Sequence, residues 1–233
     1  MRGSNDDRAH REDHLTGEGR RPMSKRRWFP AVAGLGALAV SALSAGGRGQ
    51  VLDRRMYRAV NRGSGRLTDG FFQGVTELGS LWASVGAAVA LAGARRKKEA
   101  LDALGAATTM WLLGQVLKKL WQRPRPYLSL EDVRLLITEP AGTTWPSSHP
   151  AVLLAFVTVA ARDLDGSRAV KAAAVGVAGA VGLSRIYLGV HYPADVAGGL
   201  LLGRGVADLW TALVSPRILR RLPSVAVPGT VTG

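Results

Sequence analysis

The residues with the types and spacing to do chemistry gather in a few short stretches. They are Lys118 and Arg125 in one basic run, Ser147-Ser148-His149 after Pro146, Ser184-Arg185, and His191 followed by Asp195. These types suit phosphoryl transfer. Lys118, Arg125 and Arg185 can neutralise phosphate oxygens, Arg as a planar fork of donors and Lys as a compact charge. Ser147 can donate to another oxygen. Backbone N–H groups at Ser148 and His149 would open a helix, and helix N-termini attract anions. A neutral histidine is a competent nucleophile, and a carboxylate can fix its tautomer. His191 and Asp195 stand four apart, within reach across one helical turn. His149 would then protonate the departing alkoxide as general acid.

Taken singly, each piece has a plainer explanation. Lys118 and Lys119 are placed as interfacial anchors would be. Pro146-Ser147-Ser148 reads as an ordinary helix cap, and Asp195 as an acid favoured in a first helical turn by the dipole. Those explanations do not account for why three cations, two histidines and an acid should meet, and that depends on the elements that carry them.

The 233 residues are 47% hydrophobic, an average that hides a division. Residues 1–27 are almost wholly polar and read as a disordered cytoplasmic tail. A chargeless run from Trp28 to Gly47 follows, about the ~20 residues needed to span a bilayer. A cleaved signal peptide is the rival reading, since Ala42-Leu43-Ser44-Ala45 resembles a small-residue cleavage site; the long polar stretch before it favours a retained span. Five more apolar segments cover 75–94, 100–117, 149–162, 170–190 and 194–214, the first of them carrying Glu77. Glycines at 176, 179 and 182 and at 198, 199 and 203 would let helices approach closely in lipid. The expectation is an all-α integral membrane bundle of about six transmembrane helices, with its domain over 28–214, its motifs over 70–214, and a cytoplasmic tail over 215–233.

Alternating spans bring the four chemical stretches together. The third segment ends at Lys118 and the fourth begins at His149; the fifth ends at Arg185 and the sixth is entered through His191. All four groups therefore reach one membrane face. The chain has four histidines, and the two outside the N-terminal tail both fall in this layer. Lys and Arg number eight in the tail, four at 95–98, three near 162–171 and three at 217–221. On the opposite side there are six between Arg48 and Arg66, in a basic loop over 48–70, and five between Lys118 and Arg134. The bias puts both termini in the cytoplasm and the chemical layer outside. The net charge of +14 points to anionic partners, and basic residues set between apolar runs favour membrane lipids over nucleic acid. The absence of cysteine excludes disulfides, thiolate metal sites and a cysteine nucleophile.

The spacing Lys118-x6-Arg125-Pro126, then Pro146-Ser147-Ser148-His149, then Ser184-Arg185-x5-His191-x3-Asp195 resembles the three-part signature of the type 2 phosphatidic acid phosphatase superfamily. That superfamily includes bacterial lipid phosphatases and, more distantly, vanadium haloperoxidases and soluble acid phosphatases. The resemblance covers about residues 70–214. It implies six spans around the site and a phosphohistidine on His191, oriented by Asp195. It implies His149 as the acid that later activates water, and Lys118, Arg125, Ser147 and Arg185 as phosphate-binding positions. It implies no metal and no cofactor. The family usually has Gly where Ser148 stands, so Ser148 fits the phosphate cradle only if its backbone is ordinary. The implied activity is hydrolysis of a phosphomonoester or pyrophosphate of a lipid, phosphatidic acid-type or polyprenyl, in a bacterial envelope. Two alternatives remain open: a vanadium-dependent haloperoxidase-like enzyme, and a non-catalytic membrane protein that binds anionic lipid.

Overall fold

A computed structural model describes residues 29–44, 47–63 and 65–221. The expected tail over 1–27 and most of that over 215–233 lie outside the described residues. Among the described residues the chain is helical, without strands, and forms a membrane bundle. Its elements in chain order are α1 (Phe29–Ser44), α2 (Gly47–Val60), α3 (Arg66–Glu77), α4 (Leu81–Gly93), α5 (Lys97–Leu120), α6 (Pro126–Ser129), α7 (Ser148–Asp163), α8 (Arg168–Tyr187), α9 (Pro193–Leu213) and α10 (Ser215–Arg221).

Apolar helices α1, α4, α5, α7, α8 and α9 occupy the six expected segments. Of these α5, α8 and α9 are by themselves long and apolar enough to cross a membrane; α3 and α4 add a fourth if taken as one broken span. The 24 residues of α5 reach about 36 Å, more than a hydrocarbon core of ~30 Å.

α7 is the central helix, packed against α5, α8 and α9. It is buried almost all round, as a helix without a polar face must be. On the α5 side, Ala100, Ala103, Ala107, Met110 and Gly114 recur at intervals of three and four. This thin stripe faces Ala151, Val152, Ala155, Phe156 and Val159 of α7. On the α9 side the approach is closer still. A Cβ on Gly199 would lie 2.4 Å from the Ser147 carbonyl oxygen, and one on Gly203 would lie 2.4 Å from that of Ala151. Gly176 and Gly179, expected to serve the same purpose, face open space instead. α1 packs along α9, where a retained first span would lie.

Two expectations need correcting. The segment over 75–94 is not one helix: α3 and α4 meet at 63° across Leu78–Ser80. Ser80 caps α4 by accepting from the Ala83 N–H (3.0 Å), so the chain restarts there, and Glu77 is the last residue of α3. The connection over 48–70 is not a loop, since α2 and the start of α3 fill it. α2 buries Asp53 and Tyr57, one turn apart, and exposes Val51, Leu52 and Met56. This is the pattern of a helix lying along a bilayer surface.

The end of the bundle away from the chemical stretches closes on a polar knot. Arg162 at the end of α7 donates to Asp102 of α5 (2.7 Å), to Asp163 and to Ser215 of α10 (3.0 Å). Trp210 Nε1 donates to the other Asp102 oxygen (2.7 Å). These bonds satisfy a fully buried carboxylate. They tie α5, α7, α9 and α10 together, so the opposite ends of the same helices are held in register.

Candidate active site

At the other end, the last turns of α5 and α8 and the first turns of α7 and α9 converge. A cavity of about 390 Å³ opens between them. Lys118, Arg125, Ser148, His149, Arg185 and His191 line it, with Trp82 and Trp111 at its apolar wall. All the predicted phosphate-contacting positions except Ser147 thus border one space, and Ser147 is the buried N-cap residue of α7, next to Ser148. Lys118 turns into the cavity while its neighbour Lys119 is exposed.

The cavity holds polar atoms that the protein leaves unsatisfied. Among the described residues, Ser147 Oγ, Ser148 Oγ and Arg185 Nε are buried without a hydrogen-bond partner. Buried donors without partners are costly; Ser148 and Arg185 line the cavity, so an anion bound there would satisfy two of these atoms. Arg185 is anchored at its other end, donating from Nη1 to Thr76 Oγ1 (2.9 Å). Arg125 is more heavily engaged. It donates to the carbonyls of Gly142 (2.9 Å), Val190 (3.1 Å) and Ala141 (3.1 Å). A guanidinium has five N–H groups, so two remain for an anion while three hold the 140–142 loop and the His191 connection in place. Ser148 is the first residue of α7 and has an ordinary negative φ. Glycine's freedom is not required at this position.

His191 is 2% exposed, in the connection from α8 to α9. The expected direct bond to Asp195 is not formed: Nδ1 and Oδ2 are 3.7 Å apart. Thr144, which the sequence reading passed over, bridges the gap. Its Oγ1 lies 3.1 Å from His191 Nδ1 and 2.6 Å from Asp195 Oδ2. The hydroxyl has one proton, and the carboxylate can only accept. Thr144 therefore donates to Asp195 and accepts from an Nδ1–H. This leaves the lone pair on His191 Nε2. Burial lowers the His191 pKa well below 6.5, and Arg185, Lys118 and Arg125 lower it further, so the ring stays neutral.

Asp195 is fully buried at the third position of α9. It accepts from the Tyr192 N–H (2.7 Å), from Thr144, and from Arg123 Nη1 (2.8 Å). Arg123 spans two carboxylates, because its Nη2 reaches Asp53 Oδ2 on α2 (2.5 Å). It also lies 4.2 Å over the Tyr192 ring. Burial opposes the charge on Arg123, but Asp195 and Asp53 together raise its pKa above the ordinary guanidinium value. Arg123 was legible only as part of a basic helix stop, and Asp53 left no signal beyond being an acid in a basic, amphipathic stretch.

The PAP2 superfamily model matches residues 99–219. The decaprenylphosphoryl-5-phosphoribose phosphatase of Mycobacterium tuberculosis is 34% identical over 120 residues, which is 52% of this chain and 64% of that protein. The protein named bacitracin transport permease BcrC of Bacillus licheniformis is 33% identical over 105 residues, 43% of this chain and 49% of that protein. The chain thus spans 49% and 64% of the length of these curated relatives. Among solved structures, the transmembrane PAP2 type phosphatidylglycerolphosphate phosphatase of Bacillus subtilis superposes with a TM-score of 0.72 at 25% identity, covering 84% of this chain and 100% of that one.

Proposed function

Because this chain belongs to the PAP2 superfamily, we propose that it is an integral membrane phosphatase that hydrolyses a phosphomonoester or pyrophosphate of a lipid through a phosphohistidine on His191. The observation that carries this reading is the Thr144 bridge, which leaves Nε2 of a buried neutral imidazole bearing its lone pair beside a cationic cavity.

In this mechanism Lys118, Arg125 and Arg185 neutralise the phosphate oxygens, and Ser147, Ser148 and the first N–H groups of α7 donate to them. The lone pair of Nε2 attacks phosphorus and the bond to the lipid oxygen breaks. His149, which takes up a proton as the phosphate anion binds beside it, gives that proton to the lipid oxygen. His149, now neutral, takes a proton from water; the hydroxide attacks phosphorus, the P–N bond breaks, and phosphate leaves with His191 restored. Positioning and charge neutralisation supply most of the rate, as is usual for phosphoryl transfer.

The relatives and the cavity support a substrate class. One relative is named for a decaprenylphosphoryl sugar phosphate and one structural neighbour for phosphatidylglycerolphosphate. The cavity has room for a phosphate and a small headgroup, with Trp82 and Leu81 at the side where lipid chains would lie. Polyprenyl phosphates and glycerolipid phosphates are therefore the lipids to test. The basic-residue bias supports a site on the extracytoplasmic face of the inner membrane.

The test is phosphate release by the purified, detergent- or nanodisc-borne protein. The panel comprises a polyprenyl phosphate, a polyprenyl pyrophosphate, phosphatidic acid and phosphatidylglycerolphosphate. Release from at least one, abolished in a folded H191A variant, supports the reading. No release from any of them by the wild type, or full activity in H191A, overturns it.

A further inference from the structure

Asp53 lies outside the matched family region and outside the three motifs, on the surface helix α2, yet it is 5% exposed and joined to the catalytic histidine through three side chains. Its Oδ2 pairs with Arg123 (2.5 Å), Arg123 pairs with Asp195 (2.8 Å), Asp195 accepts from Thr144 (2.6 Å), and Thr144 meets His191 Nδ1 (3.1 Å). Its Oδ1 accepts from the Ala194 N–H at the start of α9 (2.9 Å). α2 is fastened to the same connection elsewhere: Tyr57 donates to the Gly189 carbonyl (3.3 Å) and Asn61 to that of Tyr187 (2.8 Å).

The charges along this chain do not cancel. Two carboxylates share one guanidinium, so one unit of negative charge stands behind His191. When Nε2 carries the phosphoryl group and Nδ1 keeps its proton, the ring becomes a cation. In front of it stand Lys118 of α5, Arg125 of the connecting loop, Arg185 of α8 and His149 of α7; behind it stands Asp195 of α9. Without Asp53, Arg123 and Asp195 would neutralise each other, and the cationic ring would have no net negative charge behind it, the phosphoryl group's own charge being engaged by the three cations in front. Burial raises the Asp53 carboxyl pKa, and the hydrogen bond and charge of Arg123 oppose that rise.

We propose that Asp53 is a positioning residue for His191: through Arg123 and Asp195 it supplies the net negative charge that favours the phosphorylated ring. This rests on His191 being the nucleophile. It also makes α2 part of the active site, so the surface helix and the chemistry are mechanically and electrostatically linked.

The test compares wild type with D53N, which keeps shape and an acceptor for the Ala194 N–H but removes the charge, and D53E, which keeps the charge. In D53N, kcat falls about tenfold, the scale on which a partner one step behind an orienting group acts, while KM stays near wild type. The acid limb of kcat/KM moves to lower pH, because removing a negative charge makes His191 harder to protonate. D53E recovers part of kcat. If D53N does not fold, D53S, which also leaves an acceptor, takes its place with the same expectation. An unchanged kcat overturns the proposal. So does a loss confined to KM or to thermal stability with the acid limb in place. A wild type inert toward every lipid phosphate removes the nucleophile reading and this proposal with it. An active wild type that H191A abolishes, beside a fully active D53N, removes this proposal alone.

Discussion

The Thr144 hydroxyl stands between His191 and Asp195, 3.1 Å from Nδ1 of the one and 2.6 Å from Oδ2 of the other, while the two ionisable groups are 3.7 Å apart. The bridging hydroxyl makes the orientation of His191, the proposed nucleophile, depend on a residue in the loop before α7. The T144V variant keeps volume and loses both bonds. We predict that it lowers kcat by roughly 10–100-fold with little change in KM, the effect of losing a partner that orients a reacting group, and that T144S retains most of the activity. Steady-state phosphate release with the two variants, alongside their thermal unfolding, checks this.

The pH dependence follows from the burial of His191. Its pKa is lowered well below 6.5 by burial, then by Arg185, Lys118 and Arg125. In the proposed mechanism the nucleophile is the neutral ring, so the acid side of the profile falls as pH drops through that lowered value, while loss of the His149 proton sets a separate basic limb. The acid limb of kcat/KM should accordingly lie below pH 6.5, and neutralising a facing cation, as in R185Q, should move what activity remains toward a higher acid limb. A limb at or above 6.5 in the wild type would contradict the burial seen in the structure.

The α7–α9 contact gives a stability prediction with an internal control. In G199A the new Cβ would meet the Ser147 carbonyl at 2.4 Å, backbone against backbone, so the helices must part next to the phosphate cradle. We expect destabilisation of about 1–3 kcal/mol together with loss of turnover. G179A adds a Cβ where nothing lies within 4 Å and should leave both unchanged. Melting temperatures and turnover of the two variants in the same detergent decide it.

The chain has no cysteine, so single-cysteine variants report sidedness without background. E139C, in the loop beside the site, should react with an impermeant maleimide in intact cells. K97C, at the opposite end of the bundle, should react only after lysis. The reverse pattern would place the site in the cytoplasm.

What could be read from the sequence divides along physical lines. Lys118, Ser148, His149, Arg185 and His191 were legible because alternation of apolar segments brings their ends to one face, and the structure does line one cavity with them. Thr144, Arg123 and Asp53 were not, because their partners lie 51, 72 and 70 positions away and no local pattern marks such pairs. The break in the second segment was hidden because hydropathy continues through it. Its one local signal was Gly79-Ser80, and what makes it necessary is tertiary: a Cβ on Gly79 would press on His149 at 2.8 Å. Close approach at Gly199 and Gly203 was readable as small residues; the idle Gly176 and Gly179 look the same in sequence.

The proposed mechanism turns on His191 carrying the phosphoryl group. The most direct measurement is mass spectrometry of peptides from the wild-type protein mixed with a turned-over lipid phosphate and quenched within milliseconds in alkali, which preserves a phosphohistidine. A phosphoryl group on the peptide containing His191, localised to its ring and absent in H191A, is the predicted result. Release of phosphate with the adduct on His149 or another residue, or with none on His191 at any quench time, would contradict it.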